Sequence, residues 1–157
     1  MTQDLDPALD LSFTRTLNAP RALLWECWTT PAHLRQFFVP KPYALESCDL
    51  DLRVGGRFNT VMNIDGTLME NHGVYLEIVP QSLLVFTDGY TEGWKPAADP
   101  FMTALVAFAD DGAGGTTYTA TARHRSPEAR KTHEEMGFFD GWGTVVDQLE
   151  AYAQTLT

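Results

Sequence analysis

The feature that most constrains this chain is its C-terminal stretch, Ser126 to Leu156, which reads as one long amphipathic helix. Ser126 is a good N-cap, Pro127 suits the first helical position, and Glu128 complements the positive end of the helix dipole. Phe139, Trp142, Val146, Leu149, Ala153 and Leu156 then recur three or four residues apart and form a single apolar stripe. Asp147, Gln148, Glu150 and Gln154 fall on the opposite face, which meets water. A helix of this length spans on the order of 45 Å. It cannot stand unsupported, so the stripe requires a broad apolar surface beneath it.

Gly137, Gly141 and Gly143 interrupt the same stretch, each costing about 1 kcal/mol relative to Ala in a helix interior. Two explanations stand. The glycines allow a bend that follows a twisted sheet, or Gly137 and Gly141, four apart, keep one face bare and open a cavity between helix and sheet.

The upstream chain supplies the surface. Residues 11–17 alternate apolar and polar side chains, the mark of a half-buried strand. Asn18 and Pro20 announce a short helix over Arg21 to Trp28, and Thr30-Pro31 a second over Ala32 to Phe38. Strands follow over 44–52, 57–64, 68–79, 83–88, 101–109 and 116–125, with Asp65-Gly66 as a strong hairpin turn and 89–100 as a long loop. The order predicts an α+β architecture, a strongly curved antiparallel sheet of about seven strands gripping the C-terminal helix. The whole is read as a single domain over 11–157 behind a loose polar lead-in, 1–10.

Composition closes off several function classes. A net charge of −10 argues against nucleic acid and anionic membrane surfaces, because both need a basic footprint. The two cysteines, Cys27 and Cys48, make no disulfide framework and belong to no zinc-spaced cluster, so neither metal nor cofactor is expected. With no signal-peptide pattern and no apolar run of spanning length, the expectation is a soluble cytoplasmic protein. A symmetric homodimer fits the general habit of soluble chains, but no stretch specifies an interface.

Alternation also predicts which side chains face the helix. One strand offers Phe58, Thr60, Met62 and Ile64, the next Val74, Leu76 and Ile78, and that parity turns Glu70 and His72 inward as well. Met102, Ala104, Val106 and Phe108 pair with Tyr118, Ala120, Ala122 and His124. Small alanines stand where large residues would fill a solid core, which is the profile of a small-molecule cavity. Phe37 and Phe38 supply an aromatic wall, and Phe138 and Trp142 flank the helix glycines. Trp94 is either a lid or an anchor for its loop. Glu70 and His72 are either a general acid–base pair or two solvated residues beyond the covered sheet. His124 has a second reading as a solvated strand end, while His33 and His133 read as surface residues on helices. No nucleophile motif is present.

The segments FTRTLNAPRALLWECWTTPAHLRQFF, DLRVGGRF, GVYLEIVPQSLLVFT and GFFDGWGTVVDQLEAY resemble the heat-shock-protein-90 ATPase activator-like family. That family lies within the START-like (SRPBCC, birch-pollen-allergen-like) superfamily of helix-grip folds. The likeness extends over about residues 11–156, with Ala19-Pro20, Trp28-Thr29, Arg53, Gly55-Gly56, Pro80, Gly137 and Gly141-Trp142 as its more specific points. One departure is Phe37-Phe38, where relatives commonly carry Trp-Trp, so an indole hydrogen bond there does not transfer. The resemblance implies the helix-grip fold and a cavity for lipids, sterols, polyketides or other hydrophobic molecules. It implies no shared catalytic set. Three functions are therefore expected in turn: a hydrophobic-ligand binder, a cyclase or dehydratase in the same cavity, and a co-chaperone-like stimulator of a chaperone ATPase.

Overall fold

The structure, a computed structural model, describes residues 4–157. In chain order it contains β1 (Asp10–Leu17), α1 (Arg21–Thr29), α2 (Pro31–Leu34), β2 (Ala44–Leu50), β3 (Phe58–Ile64), β4 (Thr67–Asn71) and β5 (Val74–Val79). There follow β6 (Leu83–Thr87), the small pair β7 (Tyr90–Thr91) and β8 (Lys95–Pro96), β9 (Thr103–Asp110), β10 (Thr116–Arg123), α3 (Pro127–Glu135) and α4 (Phe138–Gln154). The architecture is α+β, as the sequence predicts.

Antiparallel pairing builds one sheet in the order β1-β10-β9-β6-β5 and a second in the order β2-β3-β4. Alternation explains the first sheet. On β10, Tyr118, Ala120 and Ala122 are buried on the inner face, while outward hydroxyls pair across to β1, Thr119 with Thr14 and Thr121 with Ser12. The two sheets meet where Phe58 N–H donates to Gly73 C=O at 2.9 Å and Tyr75 N–H donates to Gly56 C=O at 3.0 Å. Phe58 of β3 stacks on Phe86 of β6 at 4.2 Å across that join.

The join corrects one expectation. Residues 68–79 form two strands, broken at Gly73, rather than one. A Cβ on Gly73 would lie 2.3 Å from Thr87 O, so only glycine lets the chain cross β6 so closely. A bulge between Tyr75 and Glu77 then resets the parity. Tyr75 and Ile78 join the main core, whereas Leu76 packs on the opposite face beside Leu83, Val85 and Leu105.

A second correction concerns the C-terminal stretch, which is two helices. The Ser126 hydroxyl caps α3 by accepting from Ala129 N–H at 3.1 Å, as predicted. The helix ends at Glu135, and Gly137, at φ +96°, turns the chain before α4 begins at Phe138. Glycine adopts that left-handed conformation without the steric penalty a side chain carries. The break rotates the apolar stripe. Phe138, Val145, Val146, Leu149 and Ala153 are buried, whereas Phe139 and Leu156 at the two ends are exposed. Gln148 is also not a solvent residue. Its amide donates to Phe37 C=O and Val39 C=O, each at 3.0 Å, and accepts from Lys41 N–H at 2.9 Å.

The core lies between α4, α1 and the inner face of the five-stranded sheet. Trp28, 1% exposed, is its hub and packs against Phe37, Phe38 and Phe86 with ring centroids 5.5–6.0 Å apart. Arg15 of β1 holds α4 from outside by an ion pair to Asp147 and a 3.3 Å bond to Gly143 C=O.

Candidate functional site

A cleft opens between the start of α4, the loop before β9 and the inner side of β3. It has two lobes. The helix lobe, about 230 Å³, is bounded by Trp28, Val145 and the residues around the α3–α4 break. The sheet lobe, about 360 Å³, reaches between the two sheets. Phe38, Met62, Phe86, Phe101, Met102 and Met136 border both lobes, which therefore adjoin across a shared apolar wall.

Local structure fixes this lining. The Asp88 carboxylate at the end of β6 accepts from Phe101 N–H at 2.8 Å and Met102 N–H at 3.0 Å, which pins both side chains over the cleft. Phe38 is carried by the segment that Gln148 holds. Met136, 69% exposed, stands at the helix break and touches both lobes. An unbranched thioether at a cleft rim adapts readily to different occupants.

The residues singled out from the sequence divide in three. Phe38, Met62 and Met102 border both lobes. Gly137, Phe138, Gly141 and Trp142 line the helix lobe, and Phe58 and His72 line the sheet lobe. Phe37, Val74, Ala104, Tyr118 and Ala120 line neither and are buried. The small residues on β9 and β10 do not empty the space above them, because aromatic side chains fill it: Ala122 lies under Phe138, with Phe13 and Trp142 alongside. Val74 pairs with Thr87 on β6, whereas Tyr75, paired with Phe86, takes the inner face, and the bulge that follows brings Ile78 to the same side.

Trp94 and Glu70 also lie outside the cleft. Trp94, 50% exposed, rests over Gly55 and against Tyr90, so it anchors its loop. Glu70 sits on β4, where every residue is exposed, and His72 is exposed at the rim. The strand break at Gly73 removes the parity that turned both inward.

Three residues that sequence reasoning missed matter most. Phe86 and Phe101 supply aromatic walls, and His133, read as a surface residue, lines the helix lobe. The helix break at Gly137 separates His133 from the glycines of α4, so helical periodicity carries no signal for it. His133 packs between Phe101 and Phe138 with centroids 4.6 and 5.2 Å away. Its Nδ1 lies 2.9 Å from Nε2 of His124, whose own Nδ1 is 2.8 Å from Leu9 C=O. Burial, reinforced by the neighbouring His124, lowers the His133 pKa to about 4, so this imidazole is neutral at physiological pH. His124 is thus buried behind His133 rather than solvated at a strand end.

Behind the helix lobe, the Trp142 indole N–H donates to the Tyr118 hydroxyl at 3.1 Å. The buried Trp28 indole N–H also acts on that hydroxyl but does not reach hydrogen-bonding geometry. Burial raises the Tyr118 pKa, and the indoles oppose it only in part. Tyr118 therefore stays protonated. Among the described residues no group of three or more His, Cys, Asp or Glu is placed to hold a metal ion, and no helix is long and apolar enough to cross a membrane.

A curved antiparallel wall, a C-terminal helix laid over it and an apolar cleft between them define a helix-grip protein. The chain belongs to the family described as Activator of Hsp90 ATPase homolog 1-like protein, whose model matches residues 18–154. It is similar to a crystal structure of a protein from Nitrosomonas europaea at 41% identity, with a TM-score of 0.93 over 96% of this chain and 97% of that one. A Mycobacterium smegmatis protein shares 27% identity at a TM-score of 0.77, covering 92% of this chain and 90% of its own. The AHSA1-like protein from Aeromonas hydrophila, at 17% identity and a TM-score of 0.69 over 94% of each chain, shares the fold. No curated protein matches the chain.

Proposed function

We propose that this protein binds a small hydrophobic molecule, of lipid, polyketide or aromatic type, in the cleft between α4 and the curved sheet. The observation that carries this reading is the pair of adjoining lobes that share a wall of phenylalanine and methionine side chains. A folded protein does not keep an apolar, water-accessible space of this kind without cost, and such spaces are characteristic of ligand sites. The fold is consistent with a hydrophobic-ligand-binding domain.

Native mass spectrometry of the protein as purified, followed by a thermal-shift panel of fatty acids, sterols and polycyclic aromatics, tests the proposal. A ligand at a hundredfold its dissociation constant stabilises by about 2.7 kcal/mol, which raises Tm by roughly 5–10 °C for a chain of this size. No retained mass and no shift across the panel would overturn it.

The family's description motivates a second reading, stimulation of an Hsp90-type ATPase. An ATPase assay of the purified chaperone with and without this protein decides that point. An unchanged rate removes it.

A further inference from the structure

The histidine pair has a direction. A backbone carbonyl can only accept, so His124 Nδ1, 2.8 Å from Leu9 C=O, carries the hydrogen. With its hydrogen at Nδ1, the His124 imidazole presents a lone pair at Nε2, and His133 Nδ1, 2.9 Å away, donates to it. The hydrogen on His133 is thereby held at Nδ1. Its Nε2 is left as a bare lone pair, with no hydrogen-bond partner among the described residues. Among the described residues His133 is also the only titratable one in the lining of the helix lobe, whose other walls are aromatic, methionine, glycine, Pro40 and Val145. His133 thus brings one fixed acceptor to an otherwise apolar lining.

We infer that His133 Nε2 is a recognition point for a ligand hydroxyl, so that the helix lobe prefers phenols or alcohols to equally apolar molecules that lack an O–H. The inference rests on the hydrophobic-ligand reading above and names the chemistry of that ligand. A hydroxyl buried in this lobe finds its acceptor in the imidazole, whereas a methyl group leaves the lone pair unmatched. A carboxylate, which has no hydrogen to offer at neutral pH, sets its own lone pairs against that of Nε2.

Three probes of one shape separate the outcomes: 2-naphthol, 2-methylnaphthalene and 2-naphthoate, titrated at neutral pH by calorimetry or fluorescence. The expected order is naphthol tightest, by roughly tenfold over methylnaphthalene, with naphthoate weakest. In His133→Phe the ratio of naphthol to methylnaphthalene affinity falls to near one, and the unfolding temperature of the variant reports that it is still folded. Imidazole ¹⁵N spectra of the unaltered protein provide an independent check, with His133 Nε2 unprotonated in the free protein and shifted by naphthol.

Equal binding of naphthol and methylnaphthalene, or tightest binding of naphthoate, overturns the acceptor role and leaves the hydrophobic-ligand reading standing. A proton found on Nε2 in the free protein does the same, as does a naphthol preference that survives His133→Phe. If neither neutral probe binds, the broader reading falls and takes this one with it.

Discussion

The five-stranded and three-stranded sheets face the same hollow under opposite rules. Strand β6 is buried at every position, whereas β4 is exposed at every position. The first sheet carries α1 and α4 on its inner face and a second apolar cluster, Leu83, Val85 and Leu105, on its outer one. The second hangs from the first at Gly73 and at the Phe58–Phe86 stack. Leu45 and Phe58 also carry β2 and β3 into the main core, so it is the outer strand β4 that lies beyond the packing. The lining of the sheet lobe follows that division, with Phe86 contributed by the rigid side and Met62, Met69 and Asn71 by the outer flap.

The largest effect that separates the two walls is expected at Leu149, fully buried on α4. Leu149→Ala should lower unfolding free energy by about 2–5 kcal/mol in denaturant titrations. A change under 1 kcal/mol would mean that the helix is not clamped as described. Next comes Gly73→Ala, whose new Cβ would press on Thr87 O. A loss of about 1–3 kcal/mol is expected, with amide exchange in β4 accelerated far more than in β9. Equal acceleration in both strands would erase the distinction between wall and flap.

A smaller effect is expected from pH. His133 has a folded pKa of about 4, below its ordinary value of 6.5, because of burial and then His124. The unfolded chain therefore takes up the proton first. The associated stability is fully present above pH 6.5 and is lost as pH falls toward 4. Because the ring is only half-buried, that loss is held to about 1 kcal/mol, read as the difference between the pH–stability curves of the wild type and His133→Phe. Superimposable curves would contradict the buried setting of the imidazole. The smallest effect is expected for Leu68→Ala on the flap, where Leu68 is 61% exposed. A shift within about 0.5 kcal/mol is expected, and a loss like that at Leu149 would show that β4 packs against something.

These contrasts also explain what the sequence made legible. Strand identity came from alternation, and the inner face of β9 and β10 could be read from it because regular pairing runs uninterrupted from Thr103 to Arg123. The three-stranded sheet resisted the same reading. Period-two parity survives only while pairing is regular, and Gly73 and the bulge after Tyr75 each reset it. The alanines misled for a different reason. A small residue on a strand signals empty space only if nothing large descends from the opposite element, and Phe138 and Trp142 do so here. His133 stayed hidden because α3 has no buried residue to reveal its inward face.

The side-chain amide of Gln148 grips three backbone groups between Phe37 and Lys41. It couples the segment bearing Phe38 to α4, so an aromatic wall of the cleft and the helix beside it are fastened through one side chain. Two edges of the opening therefore share a single anchor, and that anchor is a residue that helical spacing alone would assign to water.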